Sequence, residues 1–309
     1  MNLRLIETNG CGDDIARVYV AELEDGSLIE FADALQPPLT REQKWVLIVS
    51  TLKGCPFNCP ICDAGGNYRG KLSCNEIFAQ IDFLVRENYP SGVVPTEKFK
   101  IQFARMGDPA LNDSVLEVLE QLPYRYGAPR LVPCISTVAP AGRDNFFERL
   151  LDIKNELYPN GRFQMQFSIH TTSEEARSQL IPARTWSFAR IAEYGGRFRA
   201  RNDKKITLNF APVQGMPLEP GILLEHFSPE TFLVKLTPVN PTFSSRENGF
   251  AGLIDPENPE FNKTIVQKFN ACGYETILSI GELDENRIGS NCGMLTRKIK
   301  IAKSELSSH

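Results

Sequence analysis

The chain has 309 residues, 42% of them hydrophobic and 23% charged, with no low-complexity run. That excludes a disordered or fibrous protein and leaves room for one domain of about 200 to 250 residues with extensions, or for two smaller ones. A formal charge of −4 gives no general attraction for phosphate backbones, so nucleic acid would need a local basic patch.

One such stretch is GRFRARNDKK (196–205), which also reads as a solvated connection between a helix and a strand. The opening residues lack the basic start and apolar core of a secretory signal. No apolar run approaches the roughly 20 residues of a membrane-spanning helix, so the expected setting is cytoplasmic, with no membrane partner. Of eight cysteines, three lie between positions 55 and 62. This clustering points to metal chemistry in a reducing compartment rather than to a disulfide scaffold.

In chain order, residues 16–35 alternate as a β-hairpin with Asp25-Gly26 at its turn. PPLTREQK (37–44) then reads as a linker. Six β-rich runs follow, at 46–51, 98–104, 130–137, 162–170, 204–213 and 231–239. Helical patterns occupy 73–88, 113–122, 144–157, 187–195 and 260–273. The first of these opens with Ser73 and Glu76 in capping-box spacing, and the last can be closed by Gly273.

Strand alternating with helix implies parallel strands joined by right-handed crossovers. Six units favour an α/β fold of the incomplete (β/α)6 TIM-like barrel type over a doubly wound sheet. The expected divisions are an N-terminal hairpin and linker (1–45), the barrel (46–256) and a C-terminal helix, strand and loop extension (257–309). In such folds the chemistry gathers at the carboxyl ends of the strands.

Cys55, Cys59 and Cys62 follow the first strand with the spacing C-x3-C-x2-C. A structural zinc site usually takes four ligands, and no partner pair or histidine lies at a suitable distance; zinc stays open as an alternative. Three thiolates suit a [4Fe-4S] cluster with one iron left for a substrate or cosubstrate. RMGDPALN (105–112) ends the second strand. There Gly107 allows close backbone approach and Asp108 can accept hydrogen bonds from an ammonium group, although both also suit a turn and helix cap. Ser136, then Ser168 with His170, and Asn240 put polar groups at further strand ends.

The cysteine motif at this place in an α/β barrel resembles the radical S-adenosylmethionine superfamily. By that resemblance S-adenosylmethionine occupies the open iron, with Ile61 near its adenine. Reductive cleavage, driven by a low-potential donor such as flavodoxin or ferredoxin, gives methionine and a 5′-deoxyadenosyl radical. MGDPALN, STV, SIH followed by LIP, PVNP and SNCGML are similar to segments of the RlmN/Cfr family, radical enzymes that methylate an adenosine of ribosomal RNA. The resemblance implies that Gly107, Asp108, Ser136, Ser168 and Asn240 hold S-adenosylmethionine, Asp108 standing for the family's glutamate. It also implies that Glu30 moves a proton on the acceptor, and that Cys292 carries a methyl group later delivered to an sp2 carbon.

Two features depart from the family. Its resolving cysteine, seven positions before the first cluster cysteine, is Ile48 here. Cys134, two residues before Ser136, is a candidate substitute and also reads as a packed core thiol. The chain begins almost at the hairpin, without the family's helical accessory domain. Together with the negative charge, this leads to the expectation of a small acceptor (nucleoside, nucleotide, peptide or metabolite) and of no ribosomal RNA partner. A radical rearrangement, cyclisation or dehydrogenation is the first alternative outcome, and methylation of an RNA adenosine the second.

Overall fold

The computed structural model describes residues 3–10, 16–280 and 293–306. Its centre is a ten-stranded sheet. Strands β1 (Arg4–Asn9), β2 (Ala16–Glu22) and β3 (Leu28–Ala34) form an antiparallel edge, while β5 (Leu52–Cys55) and β6 (Gly66–Lys71) stand apart as a hairpin. The parallel strands are β4 (Trp45–Val49), β7 (Phe99–Phe103), β8 (Leu131–Thr137), β9 (Gln164–Ser168), β10 (Ile206–Phe210), β11 (Phe232–Leu236) and β12 (Thr276–Leu278).

The six expected parallel strands are therefore present; β1 and β12 widen the sheet at its two edges. β3 pairs antiparallel with β4, Ala32 opposite Ile48, so the sheet runs without a break from the N-terminal hairpin into the parallel strands.

The helices are α1 (Cys74–Asn88), α2 (Ser114–Arg125), α3 (Asp144–Leu157), α4 (Glu174–Leu180), α5 (Phe188–Phe198), α6 (Pro220–Leu224), α7 (Phe243–Glu247) and α8 (Pro259–Ala271), with a C-terminal helix at Met294–Leu306. The start of α1 has the expected capping box: the Ser73 hydroxyl accepts from Glu76 N, and Glu76 Oε2 accepts from Ser73 N at 2.7 Å. Its apolar stripe, Ile77, Ile81, Leu84 and Val85, is buried in one cluster with Leu47, Val49, Phe99 and Ile101 of the sheet.

That alternation continues across the parallel strands. Phe103, Ile135, Phe167, Leu208 and Val234 belong to the apolar core, so their neighbours Gln102, Cys134, Gln166, Asn209 and Lys235 point to the other face. Parallel strands are usually apolar on both faces. Here the second face carries a polar network, in which Asn209 Nδ2 donates to Gln166 Oε1 at 2.8 Å and Gln166 Nε2 donates to Cys134 Sγ at 2.9 Å.

Candidate active site

The cysteine loop is held at both ends by the β5–β6 hairpin, with Cys55 opposite Gly66, and is turned by a Cys62 N–H to Cys59 O bond of 3.1 Å. Its far side is fixed by residues distant in sequence. The side chain of Asp63, next to the third cysteine, accepts from Phe243 N and Ser244 N at 2.9 Å each, and so caps α7. It also accepts from Ser244 Oγ at 2.7 Å and from the Arg297 guanidinium at 2.8 Å. Thr242 Oγ1 donates to the Ile61 carbonyl at 3.1 Å.

Cys55, Cys59 and Cys62 line a cavity of about 380 Å³. Burial pushes the Cys55 thiol up to about 11 and the Cys59 thiol to about 12, so nearby positive charge, such as that of iron, is needed to hold them as thiolates. Among the described residues no three His, Cys, Asp or Glu side chains converge on a single ion, the arrangement a closed zinc site would require. Three thiols reaching one cavity fit a cluster, whose thiolates bind separate irons.

Gly107, Asp108, Ser136, Ser168 and Asn240 line the same cavity, as does Ile61, which adjoins an apolar wall containing Leu180 and Ile181. Gly107 has φ +88°, and a Cβ there would lie 2.4 Å from Leu52 Cβ, so only glycine lets this turn meet β5. Asp108 is buried and heavily engaged. It accepts from Ala110 N at 2.9 Å, Val138 N at 2.7 Å and Thr137 Oγ1 at 2.7 Å. Burial nonetheless outweighs these bonds and raises its carboxyl to about 6. The cap reading of Asp108 is thus realised in a residue that also faces the cavity.

Two further residues fix this region: His170, already marked by its strand end, lines the cavity, and Arg177, which gave no motif, braces the strand ends. His170 adopts φ +66°, uncommon for a side-chain-bearing residue, and its Nδ1 accepts from Ala211 N at 3.1 Å. That bond leaves the ring proton on Nε2, while burial and then the Arg177 charge lower the ring to about 4 and keep it neutral. Arg177 is itself buried. Its Nη2 donates to Val138 O at 2.7 Å and Ser168 O at 3.0 Å, joining the ends of β8 and β9.

Glu30 does not line the cavity. It is fully buried and paired with the Arg105 guanidinium at 2.9 Å. It also accepts from Gly293 N at 2.9 Å and from Thr296 N at 2.8 Å, the first amides of the C-terminal helix. The described contacts make it a strut between β3 and that helix. Gly293, with φ +85°, packs so closely on the cysteine loop that a Cβ would stand 2.2 Å from Ala64 N. Cys292 lies outside the described residues. Ile48 is half-buried against the apolar cluster of Val18, Val20, Ala32 and Leu295.

No protein-family model matches the chain. A crystal structure of a radical SAM methyltransferase from Sphaerobacter thermophilus superposes with TM-score 0.71 over 94% of this chain and 80% of its own, at 20% identity, which places the two in one fold. Among curated relatives, one from Desulfitobacterium hafniense named "Probable dual-specificity RNA methyltransferase RlmN" is 26% identical over 93% of this chain and 77% of its own length. One of the same name from Chlorobium phaeobacteroides is 28% identical over 90% and 72%. The dual-specificity RNA methyltransferase RlmN of Marinobacter nauticus is 24% identical over 93% and 74%.

Over about nine-tenths of its length the chain is similar to RlmN RNA methyltransferases, and it shares its fold with a radical SAM methyltransferase. It is thus RlmN/Cfr-like, and these homologues support methylation as its general chemistry. The expectation that ribosomal RNA is no partner is overturned, because these relatives are RNA methyltransferases by name. Net charge misled because it is a global sum, whereas phosphate recognition depends on local cations. Among the described residues no helix is long and apolar enough to cross a membrane.

Proposed function

We propose that this chain methylates a carbon of an RNA base, moving a one-carbon unit from S-adenosylmethionine through Cys292. The observation that carries the reading is a shared wall. Cys55, from the hairpin after β4, and Asn240, after β11, line one cavity, although five strand spacings separate β4 from β11 in the sheet order. In a flat sheet that is about 24 Å, so the shared cavity also supports an incomplete barrel.

A [4Fe-4S] cluster held here would supply the electron for reductive cleavage of S-adenosylmethionine. Cys55, Cys59 and Cys62 would hold three irons. Ser136, Ser168 and Asn240 offer hydroxyl and amide groups to the methionine portion, Gly107 lets backbone approach it, and Ile61 gives the adenine an apolar wall. His170 presents a neutral Nε2–H donor at the same wall. Cys292 is bonded to Gly293, which rests on the cysteine loop.

The test is anaerobic incubation of the reconstituted protein with S-adenosylmethionine, reductant and RNA, followed by mass spectrometry. A methylated Cys292 peptide, 5′-deoxyadenosine and methylated RNA are expected. Radical cleavage with Cys292 unmodified would end the carrier route. It would favour the rearrangement, cyclisation or dehydrogenation reading, which the apolar packing of Ile48 already favours over resolution by a thiol at that position.

A further inference from the structure

A cleft of about 180 Å³ lies between the turn of the N-terminal hairpin, the β5–β6 hairpin and the C-terminal helix; Ser27, Lys53, Asn67, Arg69 and Lys300 line it. Lys53 is committed to Asp25 at 2.7 Å and Glu76 at 3.0 Å. Arg69 and Lys300, from different elements, line the same cleft, and neither has an ion-pair partner among the described residues. Burial, and next the charge of Arg69, lower the Lys300 ammonium. Two like charges brought together in this way favour an anion between them.

Ser27 supplies an independent indication. It is 3% exposed, and its hydroxyl, though near the Asp25 carboxylate, closes no hydrogen bond of acceptable geometry. A buried hydroxyl without a partner is uncommon, and this one sits in the cleft with the two cations. The cleft also shares Gly54, Asn67 and Lys300 with a groove of about 440 Å³ that borders Cys59 and Pro60 of the cysteine loop. A chain molecule held in the cleft can therefore continue toward the reaction site.

We infer that this cleft holds one backbone phosphate of the RNA acceptor, with Arg69 and Lys300 on either side and the Ser27 hydroxyl donating from the floor. The inference rests on the RNA reading above. The test is fluorescence anisotropy of a labelled RNA stem-loop with the full chain across a salt series, with inorganic phosphate as a second probe.

Arg69→Ala and Lys300→Ala should each reduce the salt slope by about 1 and weaken binding about tenfold in 0.1 M salt. Arg69→Lys should restore the slope, and Lys298→Ala, on the same helix outside the cleft, should not change it. Ser27→Ala should weaken RNA binding while raising the melting temperature of the free protein, because it deletes an unsatisfied group; a merely structural serine would not give these opposite signs. Intact RNA binding with unchanged slopes in both cation variants overturns the cleft and leaves the RNA reading standing. Saturable binding of inorganic phosphate by a wild type that binds no RNA overturns both RNA as the source and the RNA reading itself.

Discussion

Replacing Glu30 by glutamine separates a structural carboxylate from a catalytic one. Oε2 of Glu30 accepts from Arg105 Nε at 3.1 Å, Arg105 Nη2 at 2.9 Å and Gly293 N at 2.9 Å. Oε1 accepts from Thr296 N at 2.8 Å and Thr296 Oγ1 at 3.1 Å. Every partner is a donor. A glutamine must turn its NH₂ toward one of these two groups and removes the negative charge that is paired with the buried Arg105. Breaking a buried pair from one side costs about 3–5 kcal/mol, a large share of the 5–15 kcal/mol typical of a folded domain.

The loss should appear in urea unfolding, and hydrogen exchange should show the amides of Met294–Leu306 opening first, because Glu30 holds the start of that helix. A Glu30→Gln protein within about 1 kcal/mol of wild type, with a protected C-terminal helix but no turnover, would refute the strut and return the carboxylate to the chemistry.

Gly293→Ala should unseat the same helix, because its Cβ would stand 2.2 Å from Ala64 N at φ +85°. A loss of more than about 2 kcal/mol with early exchange of residues 294–306 is expected, and an unchanged unfolding midpoint would contradict the close packing. His170 is lowered from 6.5 to about 4; its contribution to stability is therefore present above pH 6.5 and lost as pH falls through 4. That lowering corresponds to roughly 3 kcal/mol. His170→Asn, which tolerates the positive φ, should flatten the acid limb of a stability–pH profile by about that amount, and superimposable profiles would refute the buried neutral imidazole.

Local signals in the sequence were strong. The Ser73–Glu76 box starts α1, Asp25-Gly26 turns the β2–β3 hairpin with Gly26 at φ +75°, and 144–157 coincides with α3. Gly107, Asp108, Ser136, Ser168 and Asn240 could be found because strand ends in a βα repeat gather at one edge, and the structure brings them to one cavity with the three cysteines.

The β5–β6 hairpin was not found, since Gly66–Lys71 is mainly exposed and lacks apolar alternation. Asp63, Arg177 and Arg105 gave no pattern, because they have partners far away in sequence: Arg297 for Asp63, the Val138 carbonyl for Arg177, and Glu30 for Arg105. One broader signal was legible and went unused. Lys100 and Gln102, Gln164 and Gln166, and Thr207 and Asn209 alternate with core residues in strands that periodicity had already marked as parallel, which reveals a polar working face.

Ile48 shows why such long-range links decide function. Its strand neighbours are Ala32 and Gln102, and it packs with Ile299 against the cluster containing Leu295. The position that carries a resolving thiol in the RlmN/Cfr family is here an apolar seat for the C-terminal helix. Glu30 holds the first turn of that helix, Gly293 rests on the cysteine loop, and Arg297 reaches Asp63. Cys134 offers no simple replacement: it is fully buried, accepts from Gln166 Nε2, and is absent from the described lining of the cavity. The residue standing in place of the thiol thus forms part of the seat of the helix directly following Cys292. In the proposed reaction, release of the product proceeds without a disulfide at position 48.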